Sequence, residues 1–173
     1  MDVDPYDGRH LLSGFHEQTG LAESFDAGAT WRSVPIAADK GAGTSFYAFF
    51  VDTGDPVTTR STWLAMPQSI TGAVGTWRTD DSAASWNKIV SVEHPHGGAQ
   101  IFQSDGVIYI GGWGSNGGGV YRSADLGVAW TRMLQGIQAV VYGTAKYIYA
   151  QPAPFGDQSS ALRAPQPGMS FTT

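Results

Sequence analysis

The octapeptide Ser24-Phe25-Asp26-Ala27-Gly28-Ala29-Thr30-Trp31 decides the fold of this chain, because related octapeptides return at regular intervals. Two clear copies are Thr79-Asp80-Asp81-Ser82-Ala83-Ala84-Ser85-Trp86 and Ser123-Ala124-Asp125-Leu126-Gly127-Val128-Ala129-Trp130, and a degenerate copy is Ala164-Pro165-Gln166-Pro167-Gly168-Met169-Ser170-Phe171. Their last positions lie 55, 44 and 41 residues apart. Intervals of about 40–50 residues are typical of four-stranded propeller blades. The spacing predicts an all-β fold, a β-propeller of about four four-stranded antiparallel blades.

The octapeptide resembles the Asp box, or BNR repeat, whose pattern is Ser/Thr-x-Asp-x-Gly-x-Thr/Ser-Trp. Such repeats occur in sialidases, xyloglucan-type glycoside hydrolases and sortilin-like receptors. The segments Val3-Asp4-Pro5-Tyr6-Asp7 and Leu11-Leu12-Ser13-Gly14 are also similar to the opening of hydrolase-type and sortilin-type blades. The resemblance covers about four blades and implies a hydrolase-like protein that acts on carbohydrate and is secreted or periplasmic. The chain shows no signal peptide, so by this resemblance we expect a removed leader or a trimmed sequence.

The residues of the octapeptide suit a tight turn between two antiparallel strands. An Asp can accept backbone N–H groups in an Asx-type turn, and Gly relieves a backbone position with positive φ. Trp offers a large apolar face for packing where blades meet. We therefore expect structural roles for one Asp and one Trp in each clear copy: Asp26, Asp81, Asp125, Trp31, Trp86 and Trp130.

Composition excludes several classes of function. The net charge of −5 argues against a nucleic-acid-binding surface. No apolar run is long enough for a membrane span. The absence of cysteine excludes disulfides and thiolate metal sites. We expect one propeller domain over residues 1–173, with no nucleic-acid or membrane partner.

Turn and strand signals divide this domain into blades at roughly 1–37, 38–92, 93–135 and 136–173. Each blade is expected to contain four strands; the second strand of blade two, for example, is predicted at about 60–66, and the fourth strand of blade four at about 169–173. Two assemblies remain open. The chain forms a lone ring of four blades, or it is half of a larger ring that a homodimer or the rest of a longer protein closes.

The strongest candidate site lies in the link Val92-Glu93-His94-Pro95-His96-Gly97-Gly98. In propellers, the Asp-box turns and the turns between the first two strands of each blade lie on the same face. The resemblance to Asp-box enzymes implies an active site in a cleft on the opposite face. Links between blades fall on that opposite face. His94 and His96 point the same way in extended backbone, as a metal pair or an acid–base pair requires. Glu93 can orient a ring or act as a general base. The alternative is a polar connector whose imidazoles bond to neighbouring carbonyls.

Further candidates come from other loops on the same face. His16 and Glu17 are a His-carboxylate pair between the second and third strands of blade one. Trp113, with Asn116 nearby in a glycine-rich loop, suits stacking on a sugar ring, although it fits equally well as an aromatic packed onto the next blade. The substrate-binding candidates on this face are Trp113, Asn116, His16 and Asp157.

Three functions remain open on these residues. The first is a glycoside-hydrolase-like propeller, in which catalytic residues are drawn from Glu17, Glu93, His94 and His96. The second is a non-catalytic module that binds carbohydrate or protein. The third is a metal-dependent propeller hydrolase such as a lactonase, with a divalent metal at His94 and His96; no other cofactor is expected. The sialidase class is disfavoured because the chain has no Arg-Ile-Pro motif.

Overall fold

A computed structural model of the chain describes residues 1–15, 20–34, 45–68, 75–90, 101–112, 118–135, 139–152 and 162–166. The chain divides into two compact units, unit 1 over Met1–Val90 and unit 2 over Ser91–Thr173. In the described ranges, no helix is both long and apolar enough to cross a membrane.

Unit 1 contains two antiparallel sheets of four strands each, and in both the strands pair in chain order. The first sheet contains β1 (Asp2–Asp4), β2 (Asp7–Gly14), β3 (Leu21–Ser24) and β4 (Arg32–Val34). The second contains β5 (Ser45–Phe50), β6 (Trp63–Gln68), β7 (Thr76–Thr79) and β8 (Asn87–Val90), with a short helix, α1 (Pro56–Ser61), between β5 and β6.

Unit 2 repeats this arrangement. Its first sheet contains β9 (Ile101–Ser104), β10 (Val107–Gly112), β11 (Gly119–Ser123) and β12 (Thr131–Gln135). Its second contains β13 (Ala139–Gly143), β14 (Tyr147–Pro152) and β15 (Leu162–Pro165). The predicted fourth strand of this last sheet, at about 169–173, lies outside the described residues. The all-β class and the meander order of each sheet are as the sequence predicts for propeller blades.

Helix α1 corrects the prediction of a strand over residues 60–66. The strand begins only at Trp63, because residues 56–61 form one and a half turns of helix. Asp55 is the N-cap: its carboxylate accepts the Thr58 backbone N–H at 2.8 Å, and Pro56 occupies the first helical turn. Asp55 is therefore a capping residue.

Each unit has its own apolar core between its two sheets. In unit 1 the fully buried Leu12 packs with residues of the second sheet that include Phe50 and Trp63. In unit 2 the buried Tyr109 and Val120 pack with Val141 and Ile148. Because alternate residues of a strand face opposite sides of a sheet, one face of each of these strands supplies the core.

The antiparallel order sorts the connections to two ends of the sheets. The clear octapeptides connect β3 to β4, β7 to β8 and β11 to β12. Within each sheet, the connection between the second and third strands and the link to the next sheet leave from the opposite strand ends. The predicted catalytic and binding residues all fall in connections of this second kind.

Candidate functional site

The octapeptide aspartates accept a dense set of hydrogen bonds inside their own turns. Asp26 accepts the Thr30 backbone N–H at 2.8 Å, the Thr30 hydroxyl at 2.6 Å and the Ser24 hydroxyl at 2.9 Å. Asp81 repeats the pattern with Ser85 and Thr79. The side-chain and backbone hydrogen bonds from Thr30 lower the pKa of Asp26, and those from Ser85 lower the pKa of Asp81. Both carboxylates are held ionised by groups of their own turn.

The third turn lacks one of these bonds. Asp125 accepts the Ala129 backbone N–H at 2.9 Å and the Ser123 hydroxyl at 2.7 Å. Ala129 has no hydroxyl to offer where the other turns have Thr30 and Ser85. The backbone hydrogen bond from Ala129 is the main cause that lowers the pKa of Asp125.

The fifth position of each turn has a left-handed backbone, as the glycine in the pattern predicts. Gly28 and Gly127 have φ of 89° and 91°, and Ala83 takes the same region at 70°. An alanine in this region is strained, at roughly 1–2 kcal/mol. The methyl group of Ala83 is buried in the core of unit 1, and this burial offsets part of the strain.

The octapeptide tryptophans differ in burial. Trp86 is 5% exposed and belongs to the core of unit 1. Trp31 is 42% exposed, and its indole N–H donates to the Gly28 carbonyl at 3.0 Å. Trp130 makes the same bond to Gly127 at 3.0 Å. Trp86 thus packs between the sheets of unit 1, as predicted for the octapeptide tryptophans, whereas Trp31 folds back over its own turn.

A buried charged network lies in unit 1 around His10, on β2. The Nδ1 atom of His10 is 3.1 Å from the Asp4 carboxylate, and its Nε2 atom is 2.7 Å from the Glu23 carboxylate. His10, Asp4 and Glu23 are each 2% exposed or less. A neutral imidazole has one N–H donor, so two carboxylate contacts require a further proton on the ring or on one carboxyl group. We call Asp4, His10 and Glu23 the His10 triad.

Two arginines balance the negative charge of the His10 triad. Arg32, on β4, donates from Nε and Nη2 to one oxygen of Glu23 at 2.8 and 2.6 Å. The Nε atom of Arg60, in α1, lies 3.6 Å from Asp4. Burial raises the pKa of Glu23, but the hydrogen bonds from His10 and Arg32 outweigh burial and leave this pKa lowered.

Aromatic rings enclose the imidazole. The ring of Phe25 stacks on His10 at 4.7 Å between centroids, and Phe50 contacts it edge-on at 4.8 Å. The Arg32 guanidinium lies 4.7 Å from the centre of the Phe25 ring. These contacts keep water from the imidazole, so His10 cannot exchange protons directly with a substrate in solution.

A half-open cavity of about 260 Å³ adjoins this network. Glu23 and Arg32 form one side of it, and residues of β4 and of the second octapeptide turn form the rest. Its lining consists of Glu23, Arg32, Ser33, Val34, Ser82, Ala83 and Ala84. We call it the β4 cavity.

The structure leaves the predicted catalytic and binding residues untested. Glu17, His16, Glu93, His94, His96, Trp113, Asn116 and Asp157 all lie outside the described residues. Within the described ranges, no group of three or more His, Asp or Glu side chains has a geometry that could hold a metal ion.

Sequence reasoning missed the His10 triad, although a signal for it exists. His10 and Leu12 are two residues apart on β2 and therefore share a face, and Leu12 is in the core. Glu23 pairs directly with Leu12 across the sheet. Polar residues at core-facing positions of two adjacent strands indicate a buried ion pair, which alternation analysis could have found.

The fold is similar to that of several solved propeller proteins. The GH74 enzyme from Niastella koreensis matches 99% of this chain at 18% identity, with a TM-score of 0.63. The GH74 xyloglucanase from Xanthomonas campestris matches 94% at 18% identity, with a TM-score of 0.54. YCF48, solved bound to a D1 peptide, matches 98% at 16% identity, with a TM-score of 0.58. At these identities the likeness shows the β-propeller fold alone.

The chain spans only part of each of these proteins: 29% of the Niastella enzyme, 28% of the Xanthomonas enzyme and 50% of YCF48. A comparison with protein-family models finds no match, and a comparison with curated proteins finds none either.

Proposed function

We propose that this chain is a hydrolase-like propeller that acts on carbohydrate, with its site at the strand ends opposite the octapeptide turns. The observation that carries the proposal is the likeness to GH74 enzymes over nearly the whole chain. The three clear octapeptides support it further, because they agree with the Asp-box pattern of carbohydrate-active propellers.

The chemistry of the opposite strand ends suits this function. Residues 91–100 follow β8 and contain Glu93, His94 and His96, while residues 15–20 connect β2 to β3 and contain His16 and Glu17. Glycoside hydrolysis needs two carboxyl groups, one as general acid and the other as base or nucleophile. Glu93 and Glu17 are the glutamates of these two connections, and each is a candidate for one of these roles. Trp113, Asn116 and Asp157 would bind the sugar.

The octapeptide aspartates are poor candidates for this chemistry. A general acid needs a pKa raised towards the working pH, whereas the pKa values of Asp26, Asp81 and Asp125 are lowered by hydrogen bonds within their turns. Their contacts favour a role in stability.

The test is a turnover assay of the purified chain on xyloglucan and on chromogenic β-glycosides. We expect Glu93→Gln to lower kcat by at least about 100-fold with an unchanged melting temperature, because a general acid or base contributes about 10²–10⁴-fold. Asp125→Ala is the matched carboxylate control: it should lower the melting temperature and leave activity per folded molecule unchanged. Turnover that survives Glu93→Gln and Glu17→Gln, or that Asp125→Ala abolishes in folded protein, would refute the assignment.

A chelator separates the metal-dependent alternative. Acid–base glycoside hydrolysis by two carboxyl groups requires no ion, so turnover should survive chelation. Lactone turnover that chelation abolishes and added divalent metal restores would instead favour a metal site at His94 and His96.

A second candidate function is the binding of a peptide without catalysis. The specific observation in its favour is the likeness to YCF48, which was solved with a D1 peptide. Saturable binding of extended peptides, without glycoside or lactone turnover under any metal condition, would favour this function over the first.

A further inference from the structure

The β4 cavity offers a mixture of hydrogen-bonding groups beside an apolar wall. Arg32 uses Nε and Nη2 on Glu23, which leaves its Nη1 group without a partner among the described residues. Over the same part of the chain, no bond engages the hydroxyl of Ser82, and this residue is exposed. The lining of the cavity thus includes guanidinium donors and Ser82, whose hydroxyl both donates and accepts.

The other part of the cavity lining is apolar. Val34 and Ala83 are 7% and 4% exposed and belong to the core of unit 1, and Ala84 lies beside them. Binding sites for small molecules typically combine such apolar lining with a few placed polar groups. The side chains at this site are therefore suited to a ligand with one apolar face and several hydroxyl groups.

Charge balance decides against an anionic ligand. Glu23 already balances the charge of Arg32 at 2.8 and 2.6 Å, so a carboxylate or phosphate at the remaining Arg32 donors would place a second negative charge beside the buried Glu23 carboxylate. A neutral ligand can accept from the remaining N–H donors of Arg32 without this repulsion.

The charged side of the cavity is held rigid before any ligand arrives. His10 holds Glu23 at 2.7 Å, and the Phe25 ring lies 4.7 Å from the Arg32 guanidinium. Binding therefore requires little reordering of Glu23 and Arg32, which reduces its entropic cost.

The size of the cavity limits the ligand further. Pockets for drug-sized molecules are about 300–1,000 Å³, and the β4 cavity has about 260 Å³. We propose that the β4 cavity is a binding subsite for one neutral pyranose ring of a carbohydrate. This subsite shares with the proposed function only the class of ligand, since it is built from β3, β4 and the second octapeptide turn.

The test follows the residues of the cavity by NMR while methyl β-glucoside or xylose is added. We expect saturable shifts of the Ala83 and Ala84 backbone amides and of the Arg32 side-chain N–H. Ala84→Trp, which adds a large side chain at an exposed position of the cavity lining, should weaken binding at least tenfold. Ser82→Ala, which removes one hydroxyl, should weaken it about fivefold. Val128→Trp, at the equivalent exposed position of the third octapeptide turn, is the matched control and should change nothing.

Two results would overturn the proposal: no shift of these groups with either sugar at millimolar concentration, or equal binding by the wild type, Ala84→Trp and Ser82→Ala. Inorganic phosphate is the anionic probe, and its binding in preference to both sugars would also contradict the proposal. The outcome is separate from that of the turnover assay. Cavity shifts without any turnover would remove only the hydrolase function, and turnover without cavity shifts would remove only this subsite.

Discussion

At the scale of single residues, the His10 triad contains the Asp, Glu and His side chains that are buried in the described part of the chain. Its charges come from β1, β2 and β3, and they are balanced by Arg32 from β4 and Arg60 from α1. Removing one partner of a buried ion pair leaves the other charge buried without compensation. The loss of one member of the triad should therefore strongly destabilise unit 1.

His10→Phe tests this contribution. The phenyl ring keeps the contacts with Phe25 and Phe50 but removes both nitrogens, so Asp4 and Glu23 lose their shared partner. We expect the free energy of unfolding to fall by about 3 kcal/mol, measured by urea denaturation.

Arg9→Gln is the matched control on the same strand. The Arg9 side chain is 74% exposed and, among the described residues, pairs with Asp7 alone, so its loss should change stability by less than about 0.5 kcal/mol. A His10→Phe variant as stable as the wild type would show that the buried carboxylates do not depend on the ring.

The residue scale is also where prediction from sequence was weakest. His10 and Glu23 are 13 positions apart, and only the pairing of β2 with β3 brings them together. The candidates chosen from sequence lay in loops instead, because glycine, proline and adjacent polar residues are local signals. A buried ion pair has no local signal other than a polar residue in the apolar alternation of a strand.

At the scale of structural elements, the octapeptide turn was predictable because its bonds are local. Asp26 and Asp81 bind residues two and four positions away in the chain, so the sequence of one turn contains the hydrogen-bond partners of its aspartate. Helix α1 escaped prediction for the opposite reason. Six residues are too few for a helical period, and three of them, Val57, Thr58 and Thr59, are β-branched.

The third turn offers a stabilising change. Ala129→Thr should supply the hydroxyl bond to Asp125 that Thr30 makes to Asp26 at 2.6 Å. We expect the melting temperature to rise by about 2 °C, measured by circular dichroism.

The reciprocal change is Thr30→Ala in the first turn, which removes that bond and should lower the melting temperature by a similar amount. If Ala129→Thr lowers the melting temperature while Thr30→Ala leaves it unchanged, the hydroxyl does not stabilise these turns.

At the scale of the whole molecule, the two units differ in their dependence on ionised carboxylates. Six described carboxylates have lowered pKa values, and only one of them is in unit 2: Asp7, Glu23, Asp26, Asp55 and Asp81 in unit 1 and Asp125 in unit 2. Burial raises the pKa of Asp2, which acts in the opposite direction. Unit 1 should therefore be the more sensitive to acid.

The sign follows from linkage. A carboxylate with a lowered pKa in the folded state binds protons less readily there than in the unfolded chain. Its stabilising contribution is present above the unfolded pKa, about 4, and is lost as the pH falls through the lower folded value. We expect thermal unfolding of unit 1, followed by residue-specific NMR signals, to shift to lower temperature between pH 6 and pH 3 by more than that of unit 2. Earlier loss of the unit 2 signals on acidification would contradict this.

The position of the His10 triad also has a consequence for how the first sheet folds. If β2 slipped by one residue along β3 so that Leu11 took the place of His10, Asp4 and Glu23 would lose the buried partner that they share. Apolar alternation penalises such a slip only through lost burial, whereas the triad adds the cost of this lost polar contact. The buried His10 thus favours the native alignment of β2 with β3 over this shifted one.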